Sequence, residues 1–487
     1  MTQDMLHSDK LVAGIDSSTQ SCTVMLRSLA DGSVVAEARA PHPPTTPPCS
    51  EQDPEAWWNA LQTALGELRE YWPRIAALAV GGQGHGLVIL DEHDKPLRPA
   101  KLWNDTESEA DAERLKQRFP AAEWATLTGS VPGPALTISK LAWTERNHPG
   151  LLARSHKIML PFDYLVYRLC GRAVAERGGA TGTGYFNPFT NQWLPELAEL
   201  VNPDIDWLAR WPEIIPSSEP AGQVIEAAGF PELTGAIVGV GTGDNMSAAL
   251  GMALEKGDVG MSIGTSGTVY GIAEQGIQDG SGAINGYAEA GDRFLPMITT
   301  LNAAKVTDTF RRLLRVTTDE FDQMVLSCPP GAGGMTLLAY LDGERTPDLP
   351  FATGQLMGLR SNSTPEQLAR ASVEGVLCGL LSGLARLREH GLTTEGRMIM
   401  TGGGARSRAY QQVLADLTGK LVWVSTVAET AAAGAAVQAA AALLGKSNVE
   451  MAAEWAIPLR CVAEPLQKSE QVLAVYETAA RAFLGEK

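Results

Sequence analysis

Hydrophobic and polar positions fall into blocks from the start of the chain. Residues 11–28, LVAGIDSSTQSCTVMLRS, set an apolar run, Leu11 to Ile15, against a single acid, Asp16, then four polar residues and a second apolar run through Val24, Met25 and Leu26. This predicts two antiparallel strands around a tight corner, with Asp16 at its mouth among the backbone N–H groups of Ser17, Ser18 and Thr19. Strands are expected at 11–15, 22–29 and 33–40, the last two joined across Asp31-Gly32, a pair that favours a hairpin turn. A helix follows, with Asp53 as N-cap, Pro54 at the first helical position and Trp57, Leu61, Leu65 and Leu68 on one face. A strand at 75–82 comes next, then an apolar run that ends at Asp91.

The second half opens on the same plan. GMSIGTSGTVYGIAE, residues 260–274, again sets an apolar run, a small polar corner and a second apolar run, with Ile263-Gly264-Thr265-Ser266 standing where Ile15-Asp16-Ser17-Ser18 stands in the first half. Two halves that begin alike suggest a duplicated domain. The acid occurs only in the first copy, as expected if two corners grip one polyphosphate and one of them serves the metal. Two long helices are expected late in the chain. Residues 365–390 carry Val373, Val376, Leu377, Leu380, Leu384 and Leu387 at helical spacing before Gly391, and 429–444 is alanine-rich before Gly445. Between them, residues 398–419 read as strand, triple glycine, helix.

At 487 residues the chain exceeds one ordinary core, so two or three domains are expected. A net charge of −17 and the lack of a basic stripe argue against a nucleic-acid surface. No contiguous apolar stretch approaches the ~20 residues that span a bilayer, so no membrane partner is expected. MTQDMLHSDK lacks a signal-peptide core, which makes the cytoplasm the expected location. Six scattered cysteines, Cys22, Cys49, Cys170, Cys328, Cys378 and Cys461, show no metal spacing and read as plain thiols.

Several stretches carry candidate chemistry. Asp16 either closes an Asx-turn or holds the magnesium ion that accompanies a phosphate in the corner. In GVGTGDNMSAALG, residues 239–251, Asp244 ends a glycine-rich corner and opens a small-residue helix, as an N-cap or as a general base facing a cleft. GGQGHG, residues 81–86, sets Gln83 and His85 amid glycines, which suits a polyhydroxylated ligand lying against the main chain. LWNDTES, residues 102–108, offers the aromatic face of Trp103 beside Asn104 and Asp105, either a sugar surface or a capped helix start. Gly402-Gly403-Gly404 lets a ligand approach the backbone, and a helix start beyond it offers N–H groups. LGKSN, residues 444–448, lacks the glycine a P-loop needs at 440 and follows a helix, and a GxGxxG between strand and helix is missing.

Together these stretches resemble the FGGY family of carbohydrate kinases, over nearly the whole chain. GQLMGLRSNSTPEQLARASVEG, residues 354–375, is similar to the family's C-terminal signature. TISKLAWTERN, residues 137–147, is similar to the N-terminal one at Thr137, Lys140, Leu141, Trp143, Arg146 and Asn147, and departs from it at Ala135 and Thr144. The resemblance implies an α/β fold of two ribonuclease H-like domains of the actin and hexokinase superfamily, with the active site in the cleft between them. The expected domains are 1–252, with sugar and base, and 253–487, with the nucleotide. GIDSSTQS, GGQGHG, LWNDTES, GDN and LDGERTP (341–347) are most similar to the family's kinases of the ketopentose D-xylulose. The implied roles are Asp244 as base, Asp16 for Mg2+, and Gln83, Gly84, His85, Trp103, Asn104, Asp105 and Asn245 for the sugar. Ser17, Ser18, Thr19, Gln20, Gly264, Thr265 and Ser266 would hold the phosphates of ATP, and Gly402, Gly403, Gly404 and Ala405 would lie by its adenosine. Gly84 stands where those kinases usually carry a larger residue. A homodimer is compatible with this reading. Its rivals are a family kinase for ribulose, gluconate or glycerol and a non-catalytic regulator that binds ATP and sugar.

Overall fold

The computed structural model describes residues 9–455, 458–467 and 469–485. Two seven-stranded sheets organise them. In the first, β1 (Leu11–Ser17) pairs antiparallel with β2 (Ser21–Ser28), and β2 pairs antiparallel with β3 (Val34–Pro41). On its other side β1 runs parallel to β4 (Ile75–Gly82), beyond which lie β5 (Pro220–Gln223) and β6 (Ile237–Gly239), in the order β5-β6-β4-β1-β2-β3. The short β7 (Thr242–Gly243) pairs with the end of β4. The hairpin from β2 to β3 turns through Asp31-Gly32, where Gly32 has φ 69°, a left-handed conformation that glycine adopts without strain.

The second sheet repeats the arrangement. Its strand β8 (Val259–Ile263) pairs antiparallel with β9 (Gly267–Gly271) and parallel with β12 (Met398–Thr401). Outside β9 lie β11 (Phe294–Thr300) and β10 (Asn285–Ala288), and outside β12 lie β13 (Val422–Ser425) and β14 (Leu459–Ala463). Each half therefore builds a hairpin whose first strand continues into a parallel neighbour, as the repeated pattern implied.

Helix α1 (Pro54–Glu67) starts at Asp53, whose side chain accepts from the Glu55 N–H, and it buries Trp57, Leu61 and Leu65 on the first sheet. Helix α2 (Pro161–Cys170) packs beside it. The core of the second half is α4 (Pro365–Glu389), which begins in a capping box of Thr364 and Gln367. Counting contiguous apolar residues missed a property of α4: its most apolar 18-residue window has mean hydropathy 1.4, enough by length and composition to cross a membrane. That window is 78% buried inside the protein, and Arg370 and Glu374 form an ion pair within the helix, so it is a core helix.

Helix α6 (Thr430–Leu444) departs from the expected division of the chain. It belongs to the second half by sequence, yet it packs on β1 and β4 of the first sheet and on α3 (Asp244–Gly251). Three glycines make the approach backbone to backbone. A Cβ on Gly14 would lie 1.9 Å from the Ala432 carbonyl oxygen, one on Gly251 2.0 Å from that of Thr430, and one on Gly434 1.8 Å from that of Ser247. In an isolated helix Gly→Ala gains about 1 kcal/mol. Here the added methyl has no space, so Gly434→Ala is expected to destabilise the protein by about 3 kcal/mol, read as a lowered unfolding midpoint.

Candidate active site

Adjacent strand ends bring the first-half residues together. Asp16 lies opposite Gly81 and Ser17 opposite Gly82 on β4, while Thr242 and Gly243 of β7 lie opposite the same two glycines. Asp16, Gln83 and Asp244 thus emerge at the carboxyl ends of neighbouring parallel strands, the place where open α/β sheets bind ligands. Gly81 is required there, because a Cβ would fall 2.6 Å from the Ser247 hydroxyl on α3.

Asp16 forms no Asx-turn. Its Oδ1 is buried without a hydrogen-bond partner, and its pKa is pushed up to about 8, first by burial and then by the charges of Asp244 and Glu429, with Arg39 opposing. The corner closes without it: the Ser18 N–H and hydroxyl both donate to the Ser21 carbonyl at 3.0 Å, so that N–H is less free than the sequence suggested. Gln20 is exposed, while half-buried Thr19 accepts from the Trp103 indole at 2.9 Å through its hydroxyl, which joins the corner to the LWNDTES loop.

Asp244 is the first residue of α3, and Gly243 takes the N-cap position. The capping role considered from sequence is therefore not played by its side chain. Asn245 holds Oδ1 through its backbone N–H at 2.8 Å and its side-chain amide at 2.9 Å. Desolvation raises the Asp244 pKa to about 6, against those hydrogen bonds.

Around these acids lie side chains with unused polar capacity. Both amide atoms of Gln83 and Oδ1 of Asn104 are buried without protein partners. His85 has φ 62° and places Nδ1 2.8 Å from the Gly182 carbonyl, so Nδ1 carries the proton and Nε2 is an acceptor. Burial, aided by Lys140 and Arg345, lowers its pKa to about 4 and keeps it neutral. A Cβ on Gly84 would meet nothing within 4 Å, so the pocket is open at that point.

Asp105 is differently employed. One oxygen accepts from Ser50 N–H and Lys101 Nζ, each at 2.9 Å, and the other from Glu107 N–H at 3.1 Å. Neither Asn104 nor Asp105 caps the next helix, which begins after Ser108. Cys49, Glu51, Asp105 and Glu107 converge closely enough to hold a metal ion, but the Lys101 ammonium is already among them, 2.6 Å from Glu107 and 3.2 Å from Glu51. Asp105 therefore secures the loop beneath Trp103, and its oxygens are committed to protein donors. Lys101 is fully buried, so Lys101→Met is expected to cost about 3–5 kcal/mol in unfolding free energy, because it leaves the carboxylates uncompensated.

The second-half residues meet at the end of the second sheet. Ser262 pairs with Thr401, which sets the 402–405 loop against the 264–266 corner. Gly402 (φ 79°) and Gly404 pack on Ile263, where added Cβ atoms would lie 2.7 Å from its carbonyl oxygen and 2.4 Å from its side chain. Gly403 is exposed, with open space beside it. A 3-10 turn, Gly403–Arg406, separates the glycines from α5 (Arg408–Thr418), whose N-terminus Ser407 caps, so those N–H groups are not at the glycines as expected. The Ala405 N–H bonds back to Gly402 at 3.1 Å. The Gly264 and Thr265 carbonyls accept from Ala304 and Ala303, leaving the Thr265 side chain exposed. Tyr270 on β9 joins the two halves, since it packs in one hydrophobic cluster with Met246 and Ala249 of α3, and burial together with the Asp244 charge pushes its pKa up.

Four residues near the site escaped the sequence reading. Glu429 precedes an alanine-rich helix and looked like a helix start. Tyr287 lay in a stretch without a motif. Glu176 accepts from the Thr242 hydroxyl at 2.6 Å, two residues before Asp244, across a separation that no local pattern reveals. Arg345 stood in LDGERTP but had no assigned role.

A duplicated α/β fold whose sheet ends gather two acids, unpartnered amides and two glycine-rich corners defines a sugar kinase of two domains. The chain belongs to the FGGY family of carbohydrate kinases: the family's N-terminal domain model matches residues 11–251 and its C-terminal domain model residues 259–443. As a kinase of this family it takes ATP as phosphoryl donor. It is 39% identical to a xylulose kinase of Streptomyces rubiginosus over 464 residues, 95% of this chain and 94% of that one. Its fold matches the crystal structure of xylulose kinase from Bifidobacterium adolescentis with a TM-score of 0.87 at 33% identity, covering 97% of this chain and 99% of that one. A glycerol kinase from Plasmodium falciparum, at 18% identity and a TM-score of 0.87 over 98% of each chain, shares the fold.

Proposed function

We propose that this enzyme transfers the γ-phosphoryl group of ATP to the terminal hydroxyl of D-xylulose, with Asp244 as the base. The observation that carries the chemistry is the placement of Asp16 and Asp244 on neighbouring strand ends, both with raised pKa values. Phosphoryl transfer needs positioning, charge neutralisation and one carboxylate to accept the proton of the attacking hydroxyl. Asn245 fixes the Asp244 carboxylate by holding Oδ1, and the ionised form takes that proton.

The buried, unpartnered Oδ1 of Asp16, amid the charges of Asp244 and Glu429, fits the Mg2+ that accompanies ATP. Asp16 would hold such an ion, which would supply charge neutralisation to the phosphates of ATP. The corners at 17–20 and 264–266 line the phosphates, and exposed Gly403 offers bare backbone to the adenosine. Gln83, Asn104 and His85 present amide and imidazole groups to sugar hydroxyls. The choice of xylulose rests on the kinship with xylulose kinases.

Measured ADP release across ketoses and polyols tests the reading. D-Xylulose is expected to exceed glycerol and gluconate in kcat/KM by about 10²-fold or more, since a site built to bond sugar hydroxyls rejects analogues that leave its buried groups unpaired. Comparable values for xylulose and glycerol would remove xylulose as the substrate while leaving the kinase class intact.

A further inference from the structure

One contact at the sugar site crosses between the halves of the molecule. Tyr287, on β10 of the second sheet, points its hydroxyl at Nε2 of His85, 3.4 Å away, with ring centroids 5.5 Å apart. The proton on Nδ1 is engaged by Gly182, so Nε2 is limited to accepting, whereas a phenol hydroxyl both donates and accepts. At 3.4 Å the two atoms lie beyond the usual span of a hydrogen bond, and neither satisfies the other well. They stand side by side, as a receptor for two neighbouring hydroxyl groups would.

Their positions are fixed by one short segment. Gly182 must be glycine, because a Cβ would fall 2.2 Å from Nδ1 of His85. Five residues earlier, Arg177 clamps the turn that follows Tyr287. Its guanidinium donates to the Gly291 carbonyl at 2.8 Å, to Pro188 at 3.0 Å and to Asn191 at 2.8 Å, and it lies 4.9 Å from the centre of the Phe294 ring. The Thr181 hydroxyl accepts from the Ala288 N–H, next to Tyr287. Burial pushes the pKa of the Tyr287 hydroxyl up against the opposing charge of Arg345, also from the second half, and the same charge adds to the burial that lowers that of His85.

We propose that Tyr287 and His85 together bind two adjacent hydroxyls of the sugar, which makes Tyr287 a specificity-determining residue supplied by the second domain to a pocket built by the first. This rests on the sugar-kinase reading above. It gives sugar affinity a direct dependence on how the two domains meet, since Tyr287 leaves His85 if they part.

Tyr287→Phe removes the hydroxyl and keeps the ring. KM for the sugar is expected to rise by about 3- to 10-fold, the scale of one lost neutral hydrogen bond, with kcat and the KM for ATP nearly unchanged. The decisive measurement crosses this variant with deoxy analogues of the sugar, each lacking one hydroxyl. For one analogue, the parent's loss in kcat/KM should shrink by about 3-fold or more in Tyr287→Phe, because the bond is already gone. A variant with the parent's KM, or equal losses for every analogue in both enzymes, would overturn the assignment. Tyr287→His, which keeps a hydrogen-bonding ring edge, should retain part of the discrimination and serves as the second variant if Tyr287→Phe folds poorly. If the parent prefers another polyol to xylulose, the substrate reading fails by itself, and the same cycle with that polyol and its deoxy analogues still judges Tyr287.

Discussion

Asp244→Asn is expected to lower turnover by ~10²-fold or more, the usual scale of a general base, while leaving ATP affinity nearly unchanged and the unfolding temperature no lower than the parent's. The substitution keeps the volume and the Oδ1 acceptor for the two Asn245 donors, and it removes only the capacity to take a proton. Gly243 occupies the N-cap position, so no helix cap is lost. The same role predicts the parent's pH profile. Asp244 must be ionised, and its pKa of about 6 means that turnover rises as pH increases from 5 to 7. That limb should be absent from the residual activity of Asp244→Asn. A folded variant with near-parental turnover of the sugar would take Asp244 out of the mechanism.

Asp16→Asn should separate activity from stability in opposite directions. Turnover is expected to fall by about 10²–10³-fold, the scale of losing one preorganised electrostatic partner of the reacting group. The nucleotide-free protein should instead gain stability at alkaline pH. Asp16 titrates near 3.8 when unfolded and near 8 when folded, so the folded state binds the extra proton between these values. Stability therefore declines as pH rises from about 4 to 8, and the cost is complete above that window. Unfolding midpoints without nucleotide should favour Asp16→Asn at pH 8.5, and the difference should vanish at pH 3.5. An equal or lower midpoint for the variant at pH 8.5 would show that Asp16 is compensated within the protein.

Much of the fold was legible because local signals agreed with one another. The Asp53 cap, the proline after it and the apolar face through Trp57 and Leu65 specify α1 without help from elsewhere. The repeated run, corner and run specified two similar hairpins, since a corner between apolar strands has few other ways to fold. Asp16 was legible for a related reason: one acid at the end of a buried strand stands out against its neighbours. Asp105 misled because an acid beside Trp and Asn looks the same whether it faces a ligand or a buried lysine, and Lys101 reaches it only once the loop has folded.

The sequence by itself determined the two α/β halves, the corners, the starts of α1 and α4 and the acids available for chemistry, because each depends on spacing within a short segment. The tertiary structure decided what those residues face. It laid α6 across the first sheet, where Gly14, Gly251 and Gly434 admit a backbone that any side chain would exclude. It left Asp16 Oδ1 unpartnered while saturating Asp105, and it brought Tyr287 to His85 across 202 positions of sequence. Burial, electrostatic neighbours and contacts of this kind are properties of the packed chain, set by which surfaces meet, and no local pattern encodes them.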